Sequence, residues 1–286
     1  MSTIGIIGGS GLDSIEGLRV IEEKTLHTPF GKPSGPCVIA RFANHRVVFL
    51  ARHGKGHVLL PSEINYQANI YAMKMLGVER IISVAAVGSL KEMLKPGDIV
   101  IPDQFVDRTN QARKMTFFGD GLVAHIAFGR PVCPCVSDLL YKVAQELKIR
   151  SHAKGTYVNM EGPAFSTKAE SLLYRSWGID IIGMTNMPEA KLAREAGICY
   201  ATLALVTDYD CWREPKDEVT VDMILETMRK NVENAKLILK TVLRRMPARM
   251  PCSCKDSLRG AVLTDPRKIP AHTKKKLGII IKGFLG

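Results

Sequence analysis

The chain has 286 residues, of which 46% are hydrophobic and 24% charged. That balance excludes a disordered segment and leaves enough apolar mass for a large core. The formal charge of +12 is dispersed. Its densest run, Lys274 to Lys276, reads as a solvated face, and no zinc-finger, RNA-binding aromatic or clustered basic-helix signature accompanies it, so neither nucleic acid nor membrane is expected as a partner.

In chain order, apolar β-branched runs at residues 4–7, 47–50, 81–84, 179–182 and 200–206 read as buried strands, each ending abruptly in small or polar residues. Between them, residues 63–76, a stretch from Leu139 to Leu147, and residues 222–245 carry apolar side chains at three- and four-residue spacing and read as helices. Strands alternating with helices predict an α/β fold, a central mixed, mostly parallel sheet covered on both faces. No linker or repeat divides the chain, so a single domain over 1–286 is expected, with a helical, basic segment at about 250–286 packed on it. No apolar run reaches the roughly 20 residues that span a bilayer, and the N-terminus lacks the basic start of a signal peptide, so a cytoplasmic protein is expected.

In such a sheet ligands gather beyond the carboxyl ends of the strands. The polar residues there are the candidates for chemistry. Gly8-Gly9-Ser10-Gly11 lets backbone N–H groups approach an anion, with the Ser10 hydroxyl as a further donor, although a tight connection would read the same way. It fits neither the dinucleotide nor the P-loop fingerprint. Arg52-His53 can be an ordinary surface pair, or a guanidinium fork and imidazole for phosphate. Thr185 could add a hydroxyl. Asp208-x-Asp210 suits proton transfer to a bound heterocycle if burial raises a carboxyl pKa; the plain alternative is a helix or turn cap. A glycosidase pair needs carboxyls on opposite faces of a sugar, which one short turn does not supply.

The seven cysteines include Cys133-Pro134-Cys135 and Cys252-Ser253-Cys254. Neither pair has the C-x₂₋₄-C spacing of structural zinc, and no histidine doublet completes a tetrahedral set, so no metal centre is expected. Intracellular disulfides are usual mainly in hyperthermophiles, and the cysteine content points to a hot habitat.

Taken together, GIIGGSGL, TPFGKPS, ARHGKGH, NYQANIYAM, AVGSL, PGDIVIPDQFVDRT, MEGPAFSTKAES, GMTNMPEAKLAREAGICYA and TDYDCW resemble the 5′-methylthioadenosine phosphorylases, in the trimeric branch of the purine nucleoside phosphorylases. The resemblance runs from about residue 3 into the C-terminal region with the motif order kept. It implies a pentosyltransferase of purine and methionine salvage that uses inorganic phosphate as co-substrate and no cofactor, splitting 5′-methylthioadenosine into adenine and 5-methylthioribose 1-phosphate. The alternative is a broad purine nucleoside phosphorylase acting on adenosine, inosine and guanosine.

The resemblance also implies roles. Ser10, Arg52, His53 and Thr185 match the phosphate-binding positions. Phe165, Ser166 and Met184 match residues around base and ribose, and Asp208 and Asp210 the pair that reads the purine N7 and 6-amino edge. Val221, Ile224 and Leu225 match the methylthio pocket, and their i, i+3, i+4 spacing fits core packing as well. His125 matches a histidine lent to a neighbouring subunit, which implies a homotrimer or homohexamer. Relatives that act on guanosine and inosine carry Asn in place of Asp208 and Glu in place of Ser166. A 6-amino donor wants a carboxylate acceptor, so Asp208 argues for adenine nucleosides. One departure is Ala85, where many relatives carry a hydroxyl; water or the Ala86 backbone N–H would replace that donor. For the cysteines, the resemblance to archaeal members implies a Cys252–Cys254 disulfide and a bridge from Cys199 to either Cys133 or Cys135. Two rival functions remain: a basic scaffold that has lost catalysis, and a nucleoside hydrolase, which would have no use for Arg52 and His53.

Overall fold

The β-branched runs become strands of one mixed sheet, and the amphipathic stretches between them become helices on its two faces. The computed structural model describes residues 2–9, 12, 14–110, 113–213 and 221–284, and the side chains of 221–225 fall outside that description. The strands are β1 (Thr3–Gly8), β2 (Arg19–Lys24), β3 (Cys37–Phe42), β4 (His45–Ala51), β5 (Arg80–Ser89), β6 (Ile99–Val100), β7 (Gln104–Arg108), β8 (Ser151–His152), β9 (Thr156–Met160), β10 (Ile181–Gly183) and β11 (Cys199–Tyr209). The helices are α1 (Tyr66–Met75), α2 (Pro134–Glu146), α3 (Lys168–Ser176), α4 (Asn186–Glu195), α5 (Val221–Arg245) and α6 (Ala271–Ile281).

All five expected strands and all three expected helices are present. Two expected strand ends move. The small residues Ala85 to Ser89 continue β5, and Asp208 and Tyr209 belong to β11, because the two strands pair along their full lengths and small residues allow that close approach. The main path of the sheet runs β2-β3-β4-β1-β5-β10-β9-β7, with β11 on the other edge of β5. β1, β4, β5 and β11 are mutually parallel neighbours, whereas β10 meets β5 antiparallel. The sheet is therefore mixed, as expected, and the segment after β10 approaches β5 from the opposite direction to the other strand ends.

One face packs α1, α4 and α6 around Ile70, Met73, Leu192, Tyr200 and Leu277; the other packs α2 and α5 around Ile4, Ile82, Leu140, Leu203 and Leu239. The segment after α5 crosses between the faces: Met246 and Cys254 belong to the second core, and Leu258, Ala261 and Ile280 to the first. No helix among the described residues is long and apolar enough to cross a membrane.

Candidate active site

The site begins with a break in the ladder of β5. β11 occupies one edge of β5 from Arg80↔Cys199 to Ser89↔Tyr209, so β1 and β10 share the other. β1 stops at Ile7↔Ser83, and β10 takes over only at Ile182↔Gly88. Residues 84–87 face no strand on that edge. The carbonyl of Val84 turns into the gap and accepts a 2.9 Å bond from Arg52 Nη1. Alternation along the strand turns the N–H of Ala86 to the same edge, while the Ala85 methyl is buried at 7% exposure.

Arg52 follows β4 and lies buried at 3% exposure. Its Nε donates to Glu189 Oε1 at 2.5 Å, and its Nη2 to Glu189 Oε2 at 3.1 Å, Ser83 Oγ at 2.6 Å and the Ile7 carbonyl at 3.3 Å. Burial works against the guanidinium charge, but the Glu189 carboxylate outweighs it and the group holds its proton more tightly than usual. Ser83 Oγ and Tyr200 Oη both donate to Glu189 Oε2, and the Asn186 amide donates to Ser83 Oγ and Tyr200 Oη. Arg52, matched to phosphate in the sequence, is thus first a strut in a buried network. Its partners take nearly all its N–H groups, and Glu189 balances its charge. The network residues Ser83, Asn186, Glu189 and Tyr200 escaped sequence reading, since only a partner for a buried arginine calls for them.

His53 sits in the turn after Arg52. Its Nδ1 donates to the Leu59 carbonyl at 2.8 Å, and its ring stacks on His57 at 4.2 Å. Burial lowers its pKa, and the neighbouring Arg52 and His57 add to the effect. The neutral ring therefore presents Nε2 as an acceptor. Thr185, 6% exposed, is the N-cap residue of α4, and its hydroxyl makes no capping bond. The first turn of α4 has little else to offer an anion, since Met187 N donates to Asn159 Oδ1 and Pro188 has no N–H.

Asp208 and Asp210 stand at the other end of the gap. A bulge between Val206 and Asp208 shifts the β11 register by one residue, a device that re-aims side chains beside active sites. Gly88 lies beneath them: a Cβ there would sit 3.2 Å from Asp208 Oδ1 and 3.4 Å from Asp210 Cβ. Asp208 opens to solvent on one side, yet surrounding protein desolvates its carboxyl and raises its pKa, and Asp210 pushes it further up; the Thr207 hydroxyl, donating to Oδ2 at 2.6 Å, works the other way. Asp210 is 8% exposed, and its Oδ2 is buried without a hydrogen-bond partner among the described residues. A buried unpartnered carboxylate oxygen is costly unless a ligand completes it.

The loop after β9 forms the adjoining wall. Ser166 is buried, with its hydroxyl 3.7 Å from Met160 Sδ, and its carbonyl accepts from Cys211 Sγ at 3.1 Å, which ties the loop to the turn after Asp210. Phe165 is 83% exposed, an uncovered ring on that loop. Buried Arg113 bonds Glu161 Oε1 at 2.9 Å together with the carbonyls of Glu161 and Met184, and so fixes the approach of Met184. His125 lies elsewhere, exposed, its backbone N–H bonded to the Ala261 carbonyl at 2.9 Å. Ser10 lies outside the described residues, as do the side chains of Val221, Ile224 and Leu225, whose backbone opens α5.

The cysteine expectations need correction. No disulfide joins the described residues, and all seven thiols are free. Cys199 Sγ and Cys252 Sγ, a pair the resemblance did not imply, stand 3.3 Å apart, well beyond the roughly 2.05 Å of a disulfide. The ground for expecting a hot habitat goes with the bridges. Spacing along the sequence did not show that Cys133, Cys199, Cys252 and Cys254, from three separate segments, gather within 4.8 Å of one another.

The profile of the Phosphorylase superfamily matches residues 3–244. The S-methyl-5′-thioadenosine phosphorylase of Geobacter sulfurreducens is 56% identical over 282 residues, covering 99% of each chain. The chain belongs to the S-methyl-5′-thioadenosine phosphorylase family. Another member, from Gloeobacter violaceus, is 56% identical over 98% of this chain and 95% of its own. Among solved members, a methylthioadenosine phosphorylase from an antarctic soil metagenomic library superposes with a TM-score of 0.93 at 49% identity, over 98% of both chains. A variant of the adenosine/methylthioadenosine phosphorylase of Schistosoma mansoni, solved in complex with adenine, superposes with a TM-score of 0.85 at 36% identity over 92% of this chain and 98% of its own.

Proposed function

We propose that the chain catalyses phosphorolysis of 5′-methylthioadenosine. The observation that carries this reading is the pair of aspartates above Gly88, one carboxyl with a raised pKa and the other with a buried oxygen awaiting a donor. A 6-aminopurine complements both: its amino group donates to a carboxylate, and its N7 accepts a proton from Asp208.

Phosphate occupies the gap beside residues 84–87, below C1′ of the ribose. Thr185, the Ala86 N–H and the Ser10 loop donate to it. His53, neutral and presenting Nε2, accepts from a P–OH oxygen, and the Arg52–Glu189 network holds the walls in place. As the N9–C1′ bond lengthens, the phosphate anion stabilises the oxocarbenium-like ribose and Asp208 donates its proton to the departing base. The C1′–O bond then forms on the opposite face. Adenine leaves with the proton and 5-methylthioribose 1-phosphate forms with inversion. Binding to Asp208 strengthens as the base becomes anionic, which favours the transition state over the ground state. The reaction needs no cofactor.

All strands join one sheet and α6 packs into its core, so the whole chain acts as one catalytic domain. His125 serves a neighbouring subunit in a homotrimer or a homohexamer. Val123 and Leu263, bonded to each other through their backbones beside it, are 50% and 65% exposed and suit such an interface. Asp208→Asn tests the base-recognition step. An amide can hydrogen-bond N7 but cannot protonate it, so kcat/KM for methylthioadenosine should fall by about 100-fold or more, with a smaller loss on inosine, whose 6-oxo group accepts from the amide. Equal losses on both nucleosides would contradict the assigned role.

A further inference from the structure

Four cysteines remain outside the chemistry above. Cys133 is the N-cap residue of α2, Cys199 opens β11, and Cys252 and Cys254 lie where the chain passes from α5 toward α6. Their Sγ atoms all lie within 4.8 Å of one another, and the Cys199–Cys252 pair is 3.3 Å apart. Zinc–thiolate bonds of about 2.3 Å in a tetrahedron place sulfurs roughly 3.8 Å apart, between those two limits. A disulfide would need about 2.05 Å. The thiols of a polynuclear iron–sulfur cluster bind different irons and would stand farther apart than this group allows.

We propose that Cys133, Cys199, Cys252 and Cys254 bind a single zinc ion as a tetrathiolate site that fastens the C-terminal segment to the sheet. Ser253, at φ −91° and ψ 10°, turns the C-x-C chain so that both of its thiols reach one centre despite their short spacing. Cys133 is at 0%, Cys254 at 5% and Cys199 at 6% exposure, whereas Cys252 is only half-buried and leaves an entry for the ion. The surroundings favour the excess negative charge of four thiolates around a dication. Cys133 occupies the N-terminus of a thirteen-residue helix without making a capping bond, and Arg194 lies within electrostatic reach of Cys254. Cys135 stands outside the set, its Sγ 3.8 Å from the Pro251 carbonyl.

The location gives the role. The site holds the point where the chain crosses from the α5 face to the α4 and α6 face, and Gly197 packs against the Lys255 carbonyl just beyond it. Cys199 opens β11 and Asp208 lies near its other end, roughly 30 Å away at about 3.3 Å per residue. The ion therefore acts on stability, apart from the reaction.

The test begins with full-length wild-type protein purified under reducing conditions without chelator, with metal content measured by inductively coupled plasma mass spectrometry. About one zinc per chain is expected. Replacement by Co²⁺ should give intense thiolate-to-cobalt charge-transfer absorption and the visible bands of a tetrahedral site. Cys199→Ser and Cys254→Ser should lose the metal, and Cys135→Ser should keep it. Chelation should lower the Tm of the wild type and expose residues 247–284 to proteolysis, leaving kcat at moderate temperature unchanged. Should the serine variants fail to fold, the wild-type metal content and cobalt spectrum decide. Metal-free protein whose thiols all titrate, protein lighter by the mass of hydrogens lost to disulfides, or iron in place of zinc would each overturn the proposal.

Discussion

Arg52 shows how a residue can be readable by type while its partners in the fold are not. A guanidinium after a strand suggests phosphate, and the family pattern agrees, yet its direct partners are Glu189, Ser83 and two carbonyls. An arginine at 3% exposure beside a carboxylate at 0% forms a pair whose removal by halves is expensive. Glu189→Gln leaves the cation buried and incompletely balanced, and should cost about 3–5 kcal/mol of unfolding free energy in a urea titration. A loss below about 1 kcal/mol would mean that Arg52 is held by its other bonds. Glu189 was unreadable in sequence because it is 137 positions from Arg52 and a glutamate in a helix is ordinarily exposed. Asp208 and Asp210 were readable because two carboxylates close together follow an apolar run at the carboxyl end of a strand. The bulge that aims them left no trace in composition.

At the scale of elements, strands buried on both sides announced themselves and the others did not. β1 and β5 are continuous apolar runs, whereas β2 is exposed along all six residues and β6 and β8 have two residues each, too short for any pattern. α4 hid for a different reason. Its buried face includes Asn186, Glu189 and Glu195, polar residues that serve internal partners, so it lacks a clean apolar stripe. Glu195, at its C-terminal end, accepts from Thr116 Oγ1 at 2.7 Å and Phe117 N at 2.6 Å. Desolvation raises its pKa from 4.5 to about 7, against the lowering effect of those two bonds. The folded state thus favours the neutral acid. No stability is lost below pH 4.5, where both states are protonated, and the cost of burying the carboxylate grows as pH rises toward 7. Glu195→Gln keeps an acceptor for Phe117 N and lets the Thr116 hydroxyl turn to accept. The variant should therefore gain up to about 3 kcal/mol relative to wild type between pH 5 and pH 8, read from denaturant midpoints. An equal difference at both pH values would contradict the assigned pKa.

For the whole molecule, the topology sets where the candidate residues lie. β1 and β10 share one edge of β5 without touching; Arg52 Nη1 reaches the Val84 carbonyl in the space they leave, and Asp208 and Asp210 flank Gly88 beyond it. The antiparallel entry of β10 was not legible in the sequence, since nothing in its three residues encodes direction. The cysteine cluster was beyond sequence reading for a similar reason: its thiols belong to three segments, and only the crossing of the chain between faces of the sheet brings them together. The proposed assembly can be tested on the same scale. Mixed oligomers of His125→Ala and Asp208→Asn chains should be more active on methylthioadenosine than either variant alone, because some sites then combine intact residues from both subunits. Mixtures no more active than the separate variants would place His125 outside a shared site.

In the proposed reaction the gap in β5 holds phosphate as the nucleophile while the aspartates hold an adenine base. Its most direct test is adenine release from 5′-methylthioadenosine with and without inorganic phosphate, with adenosine and inosine in parallel. Release should require phosphate and favour the adenine nucleosides, methylthioadenosine foremost. Release at the same rate without phosphate would contradict the proposed reaction.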